Sequence, residues 1–450
     1  MLQSMVSKQT VCLRQLAGSR AREVQYGRWL ANDKVTPAQL VVSACARTGA
    51  IAAGRRHVLA IQDTTELNHQ AHAGRVSGLG TVGNGSDVGM FLHPLLVVDA
   101  RDGACLGLAH LHHWIRTGKA SPDYRKYPIE DRESYRWLDV AEAGKKCLSE
   151  AAMVTIIADR ESDIYEEWAR VPDERTHLIT RACRDRTLAA GDKLYAWIDA
   201  QPAQGTHRFD VPARPGTRSA HRATLDVRFG RVTIRRPASC SDKSAPPQIE
   251  LSVVEVKELP GSVVGNEAPI HWRLLTTHRI ACLEEALQCV DWYRQRWHIE
   301  QLFRTLKKQG LNLESSQVET AAGLTKLACL AIQAAVLTMQ LTLARDGHSA
   351  VQAADVFNAD EIEVLQRIRP TLEGKTQKQK NPHRTGSLAQ AAWVIARLGG
   401  WKGYASEAKP GPITMLHGLQ RLSAICQGWK LATKDAVSYT HLTLPTNREV

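Results

Sequence analysis

Val154-Thr155-Ile156-Ile157-Ala158-Asp159 is a short apolar run that stops at a carboxylate. A run of this length with no alternation is the pattern of a central strand buried on both faces, as in a parallel sheet covered by helices. Upstream, His57 to Gln62 (HVLAIQ) reads as a similar strand and ends at Asp63-Thr64-Thr65. Gly89 to Ala100 predicts a second strand, Arg101-Asp102-Gly103 a turn, and Ala104 to His110 a returning third strand. Ile129 to Leu148 has helical spacing, with Trp137, Leu138, Val140 and Ala141 on the apolar side. A helix is expected over Asp163 to Arg170, a fifth strand over His177 to Ala182, and another over Trp272 to Thr276. Hairpins followed by βαβ alternation predict an α/β fold, a mixed sheet flanked by helices.

Between the last two strands the texture changes. Gly/Pro turns and alternating segments such as Leu225-Asp226-Val227-Arg228-Phe229 predict a β-rich insertion. The layout expected is residues 1–55 as a basic helical segment and 56–183 as the first part of a core. Residues 184–269 form the insertion, 270–345 the second part of the core, 346–435 a C-terminal helical region, and 436–450 a tail foreign to the rest. In the first segment Thr36 and Pro37 signal a helix start.

Composition limits the function. Of 450 residues, 43% are hydrophobic and 23% charged, which excludes wholesale disorder and fibrous architecture. The net charge is +12 and the pI about 9.3, a balance that favours a polyanionic partner, most often nucleic acid. The cysteines include no C-x-x-C pair, which argues against a zinc finger and for free thiols in a reducing cytosol. The apolar stretch from Lys326 to Arg345 is broken by Gln333, Thr338, Gln340 and Thr342, so a buried helix is expected there and no membrane partner.

Three segments carry chemistry. Asp63 and Asp159 each follow a strand, and the carboxyl ends of strands in open α/β sheets are where sites form. Each also has a plain structural reading: Asp63 as a turn residue capping the next N–H groups, and Asp159, Ser162 or Asp163 as a helix cap, with Asp163 best suited. The third segment, Leu283 to Gly310, predicts one long helix. At 100° per residue, Tyr293, Arg296, Glu300 and Lys307 share one stripe on an otherwise apolar surface. An i, i+4 pair of Arg296 with Glu300 is the structural alternative. Three converging carboxylates are what two-metal phosphoryl transfer requires, with neighbouring Arg and Lys to hold phosphates.

Tyr293-x2-Arg296-x3-Glu300-x6-Lys307, with Asp63 in D-T-T and Asp159 in A-D-R-E-x-D-I, resembles the signature of the bacterial DDE transposases of insertion-sequence family four. The resemblance runs from about Ala21 to Lys434. It implies a ribonuclease-H-like core interrupted by a β-rich insertion. It also implies Mg²⁺-dependent cut-and-paste transposition through strand nicking, hairpin formation and resolution, and strand transfer. Asp63, Asp159 and Glu300 would be catalytic and would hold two Mg²⁺ ions, for which Mn²⁺ substitutes. Tyr293, Arg296 and Lys307 would grip phosphates near the cleaved end. Trp272 aligns with the residue on which an extruded base stacks, although a strand Trp is by default a core residue. Trp297 is a second candidate for that pocket, Arg181 matches a DNA contact, and Arg304 is placed by helix geometry. Implied partners are double-stranded DNA with terminal inverted repeats, target DNA and a second copy of the chain in a synaptic homodimer. The implied location is a bacterial cytoplasm, at the nucleoid.

The resemblance also implies that residues 1–55 are an N-terminal helical DNA-binding segment and 346–435 a C-terminal helical dimerisation region. Tyr26-x-Arg28-Trp29 resembles the last part of a longer end-recognition subdomain, and the tail lies where dimerisation helices end. Competing readings are a metal-dependent DNA nuclease on the same core, a catalytically silent inhibitor that binds DNA and pairs with full-length protein, and a basic structural protein.

Overall fold

The computed structural model describes residues 1–83, 85–118, 127–213, 218–308, 310–404 and 407–439. Residues 440–450 of the expected tail lie outside them. The chain divides into two compact units, one of Val41–Ala73 and Leu79–Gln301, the other of Met1–Leu40, Gly74–Gly78 and Leu302–Val450.

The first unit is built on one mixed sheet. Its strands are β1 (Val58–Gln62), β2 (Thr65–Asn68), β3 (Gly80–Val82), β4 (Asp87–Asp99), β5 (Cys105–Trp114), β6 (Val154–Ala158), β7 (Thr176–Arg181), β8 (Gly205–Val211), β9 (His221–Arg235), β10 (Gln248–Glu258) and β11 (His271–Thr276). The order is β2-β4-β1-β6-β7-β11-β10-β9-β8, with β3 and β5 also on β4. β6 runs parallel to both β1 and β7; the other pairings between named strands are antiparallel. Every residue of β1 and β6 is buried, as their unbroken apolar character requires. The turn at Gly103 works as expected: its φ is 70°, and its N–H bonds to Asp99 O at 2.9 Å.

β1 and β2 lie end to end along β4, whose residues Leu95–Asp99 pair with β1 and Gly89–Leu92 with β2. The break between them falls at Asp63-Thr64. The helix Arg136–Cys147 packs on β4 and β5, and buries Trp137, Leu138, Val140 and Ala141 as the spacing predicts. It approaches so closely that a Cβ on Gly144 would lie 2.3 Å from Leu95 Cδ2. Upstream of it, Ile129–Asp131 and Glu133–Tyr135 are 3₁₀ turns, so the expected helix over 129–148 is shorter than its apolar spacing suggested.

The insertion is not a separate β module. β8, β9 and β10 extend the core sheet through β11, which pairs with β7 at Leu274–Thr276. Glu255 of β10 is fully buried, and meets Arg228 of β9 and His271 and Arg273 of β11 at 3.3, 2.9 and 2.7 Å.

The second unit is helical. Its central helix, Ala321–Ala344, is the one described helix long and apolar enough to cross a membrane, but its most apolar window is 83% buried among the surrounding helices. Lys326 on this helix is buried and donates to Leu30 O and Asn32 O, both at 2.9 Å, which satisfies carbonyls at the end of the helix Arg20–Ala31. Thr36 caps the helix Pro37–Ala52 reciprocally with Gln39, as expected.

At the amino ends of the parallel strands, away from Asp63 and Asp159, three histidines gather on Thr155. His57 Nε2 and His278 Nε2 lie 2.8 and 2.7 Å from Thr155 Oγ1, and His177 stacks on His278 at 4.0 Å. Burial, then the neighbouring His177, lowers His57 to about 4 and His278 to about 3. These folded values lie below the free-imidazole value of about 6.5. The stability tied to the neutral rings is therefore present above that pH and is lost as pH falls toward the folded values. His278→Gln keeps a polar group on Thr155 and should flatten the decline of urea midpoint between about pH 6.5 and 4; an unchanged acid slope would contradict this.

Candidate active site

β1 and β6 are parallel neighbours in register, with Ile61 beside Ile157. Each continues for one residue and then carries its carboxylate, Gln62 leading to Asp63 and Ala158 to Asp159. Neighbouring strands lie ~4.8 Å apart, so the two aspartates emerge side by side. Asp63 Oδ1 accepts from Thr64 N at 2.8 Å, and Asp159 Oδ1 accepts from Glu161 N at 2.8 Å. The structural readings of both aspartates are thus correct as far as one oxygen goes. Asp159, not Asp163, caps the 3₁₀ turn Arg160–Ser162. The expectation that Asp163 caps the next helix fails, because Tyr165–Arg170 starts after Ile164 with no side-chain cap bond. The Asp163 carboxylate instead accepts from Cys183 N and Arg184 N at 2.8 and 2.9 Å and pairs with buried Arg186. This ties the turn after β6 to the turn after β7.

Glu300 comes from the other direction. The long helix expected over 283–310 is two helices, Leu283–Arg294 and Trp297–Lys307. The junction is tightened by i to i+3 bonds: Gln295 N to Trp292 O, Arg296 N to Tyr293 O and His298 N to Gln295 O, each 3.0 Å. No Gly or Pro marks this break in the sequence. It invalidates a uniform 100° projection, and it leaves Trp297 45% exposed where an all-round buried helix was expected. The i, i+4 pair does form, with Arg296 Nη2 2.8 Å from Glu300 Oε1, but the same guanidinium reaches Asp63 Oδ2 through Nη1 at 3.0 Å. Arg296 therefore bridges the first and third carboxylates.

The charges are coupled. Burial, and then Asp159, raise the Asp63 carboxyl to about 7; Glu300 acts the same way, and the opposing pull of Arg296 does not restore an ordinary value. Two carboxylates from residues far apart in sequence, Asp159 and Glu300, thus act on a third, Asp63. They offer only oxygen donors, the chemistry of a hard divalent cation. Among the described residues, no group of three or more His, Cys, Asp or Glu side chains is arranged to hold a metal. Arg296 is the cation that stands between Asp63 and Glu300 here.

The remaining candidates divide. Tyr293 is buried, and burial raises its phenol, while Arg296 and Arg181 act on it in the opposite sense. Trp272 is only half-buried, so it is not a core residue. It meets Tyr293 edge-on at 5.4 Å and lies parallel to Phe209 at 6.4 Å. Arg294 covers the other ring of this row, 4.0 Å from the Phe209 centroid. Arg181 Nη2 donates to His271 O at 3.0 Å. Trp297 lies beside Arg296, whose guanidinium carbon is 5.9 Å from its ring. Arg304 and Lys307 belong to the helical unit; Arg304 is exposed, and Lys307 pairs with Glu314 at 3.1 Å.

Sequence reasoning missed the polar side chains behind the aspartates. Thr64 Oγ1 accepts from Arg136 Nε at 3.0 Å and lies 2.8 Å from His93 Nδ1; His93 Nε2 lies 3.2 Å from Gln62 Oε1. The signal available was a Gln and a His inside otherwise apolar strands.

Two comparisons with known proteins gave matches. A cryo-EM structure of a piggyBac transposase synaptic complex with hairpin DNA is similar at a TM-score of 0.36 and 10% identity, over 88% of this chain and 59% of that one. The chain thus spans less than two thirds of that neighbour's length. Residues 154–337 match the family described as Transposase DDE domain, a segment that contains Asp159, Tyr293, Arg296, Glu300 and Lys307 and begins after Asp63.

Proposed function

We propose that this chain is a DNA transposase of the DDE type, related to insertion-sequence family four and acting by cut-and-paste. The observation that carries the reading is the meeting of Asp63, Asp159 and Glu300, with Arg296 bridging the first and last. The match of the second and third acidic segments to a transposase DDE domain supports it, as does the net charge of +12.

Asp63, Asp159 and Glu300 would hold two Mg²⁺ ions, which supply Lewis acidity at the scissile phosphate and lower the pKa of attacking water. Arg296 would hold phosphate oxygens near the cleaved end, with Tyr293 beside it, and Lys307 would contact the DNA backbone. Water attack would release a 3′-OH at the element end. That hydroxyl would attack the opposite strand to give a hairpin, with reopening and transfer to target DNA following. Trp272, Phe209 and Trp297 offer ring faces for a base displaced from the stack. Inverted-repeat DNA, target DNA and a second copy of the chain are the proposed partners.

Glu300→Gln should lower Mg²⁺-dependent cleavage by at least ~1,000-fold while DNA affinity stays within about twofold; retained cleavage would refute the assignment. Trp272→Ala should slow hairpin formation more than first nicking, measured on end-labelled duplexes, and equal slowing of both steps would count against base stacking. Affinity for DNA should fall linearly in log–log terms with added salt through counterion release; a flat response would remove the electrostatic argument.

A further inference from the structure

Behind the carboxylates, one buried side chain is joined to both strand ends. Glu167, on the helix Tyr165–Arg170, is fully buried. Its Oε1 accepts from Gln62 Nε2 at 3.2 Å, and its Oε2 accepts from Ser162 Oγ at 2.5 Å. Gln62 immediately precedes Asp63, and Ser162 closes the turn that Asp159 opens. From Gln62 the chain of contacts continues through His93 to Thr64, whose backbone N–H holds Asp63 Oδ1. Arg136 donates to Thr64 Oγ1 and pairs with Glu161 at 2.7 Å, and Glu161 N holds Asp159 Oδ1. The two aspartates are thus connected behind the sheet by a closed circuit of side chains from β1, β4, the turn after β6 and two helices.

One arrangement of protons satisfies the circuit. Arg136 Nε occupies a lone pair of Thr64 Oγ1, leaving the Thr64 hydroxyl to donate to His93 Nδ1. His93 Nε2–H then donates to Gln62 Oε1, and Gln62 Nε2 donates to Glu167. This requires a neutral His93. Burial, with Arg136 next, holds its pKa well below the ordinary value. Burying so many polar groups is costly unless all are paired. A hydrophobic packing of the same strands would serve the fold without that cost, so the circuit fits a demand on geometry.

We infer that Glu167 is a positioning residue: together with Gln62, Ser162 and His93 it sets the separation and orientation of Asp63 and Asp159. Glu167 touches neither carboxylate and acts through the two turns that carry them. The inference rests on the reading of these aspartates as the catalytic pair, and its test separates the two claims.

The test uses the full chain, with Glu167→Ala, Ser162→Ala and Glu167→Gln. The glutamine keeps an oxygen to accept from Gln62 Nε2, and its amide donates to Ser162 Oγ, a hydroxyl that can also accept. Glu167→Ala and Ser162→Ala should each lower kcat for Mg²⁺-dependent DNA cleavage by about tenfold or more, with KM for DNA within about twofold, and Glu167→Gln should recover most of the loss. Hydrogen exchange gives a readout without metal or DNA. Peptides spanning residues 59–66 and 156–164 should exchange faster in the two alanine variants and at the wild-type rate in Glu167→Gln, because the Thr64 and Glu161 amides anchor the carboxylates. Should Glu167→Ala fail to fold, Ser162→Ala, which deletes one bond, carries the test. Wild-type kcat and exchange in Ser162→Ala would overturn the inference. Faster exchange in a protein that shows no cleavage even as wild type would leave the positioning role standing and overturn the transposase reading.

Discussion

Two carboxylates at the carboxyl ends of adjacent parallel strands repel one another, and the structure is arranged around that repulsion. The register of β1 and β6 leaves Asp63 and Asp159 no freedom to separate, because shifting either strand would move its buried apolar residues out of the core. Burial removes the water that would screen the pair, and Asp63 answers by holding its proton to about pH 7. Arg296 supplies the opposing charge from a helix junction tight enough to aim its guanidinium back at the strand ends.

Much of this was legible in the sequence. Unbroken apolar runs located β1 and β6, and a carboxylate follows each directly. The period-2 alternation of Leu225 to Phe229 located part of β9, but alternation does not say how far a strand runs or which sheet it joins. Only the pairing of β11 with β7 shows that the insertion extends the core. The break at Gln295-Arg296 left no trace, since helix junctions made by tightening need neither Gly nor Pro. A uniform projection nonetheless grouped Arg296 with Glu300, because Arg296 lies at the break itself, only one turn before Glu300.

The supporting residues were the hardest to read. Glu167 and Gln62 are 105 positions apart, and a glutamate in a short helix reads as solvated until its neighbours are known. Asp163 was misjudged for a similar reason: local cap chemistry favoured it, while its real partners, Cys183, Arg184 and Arg186, lie beyond β7. Local rules found the residues whose position follows from their own strand. Residues defined by tertiary partners required the fold.

The central claim is that Asp63, Asp159 and Glu300 form one acidic centre able to take divalent cations. Replacing Mg²⁺ by Fe²⁺ in the presence of ascorbate and peroxide tests it directly, because radicals generated at a bound iron cut the backbone beside its ligands. The account predicts chain cleavage next to all three residues, suppressed by excess Mg²⁺. Cleavage confined to other segments, such as the His57, His177 and His278 cluster, or cleavage that Mg²⁺ does not suppress, would contradict it.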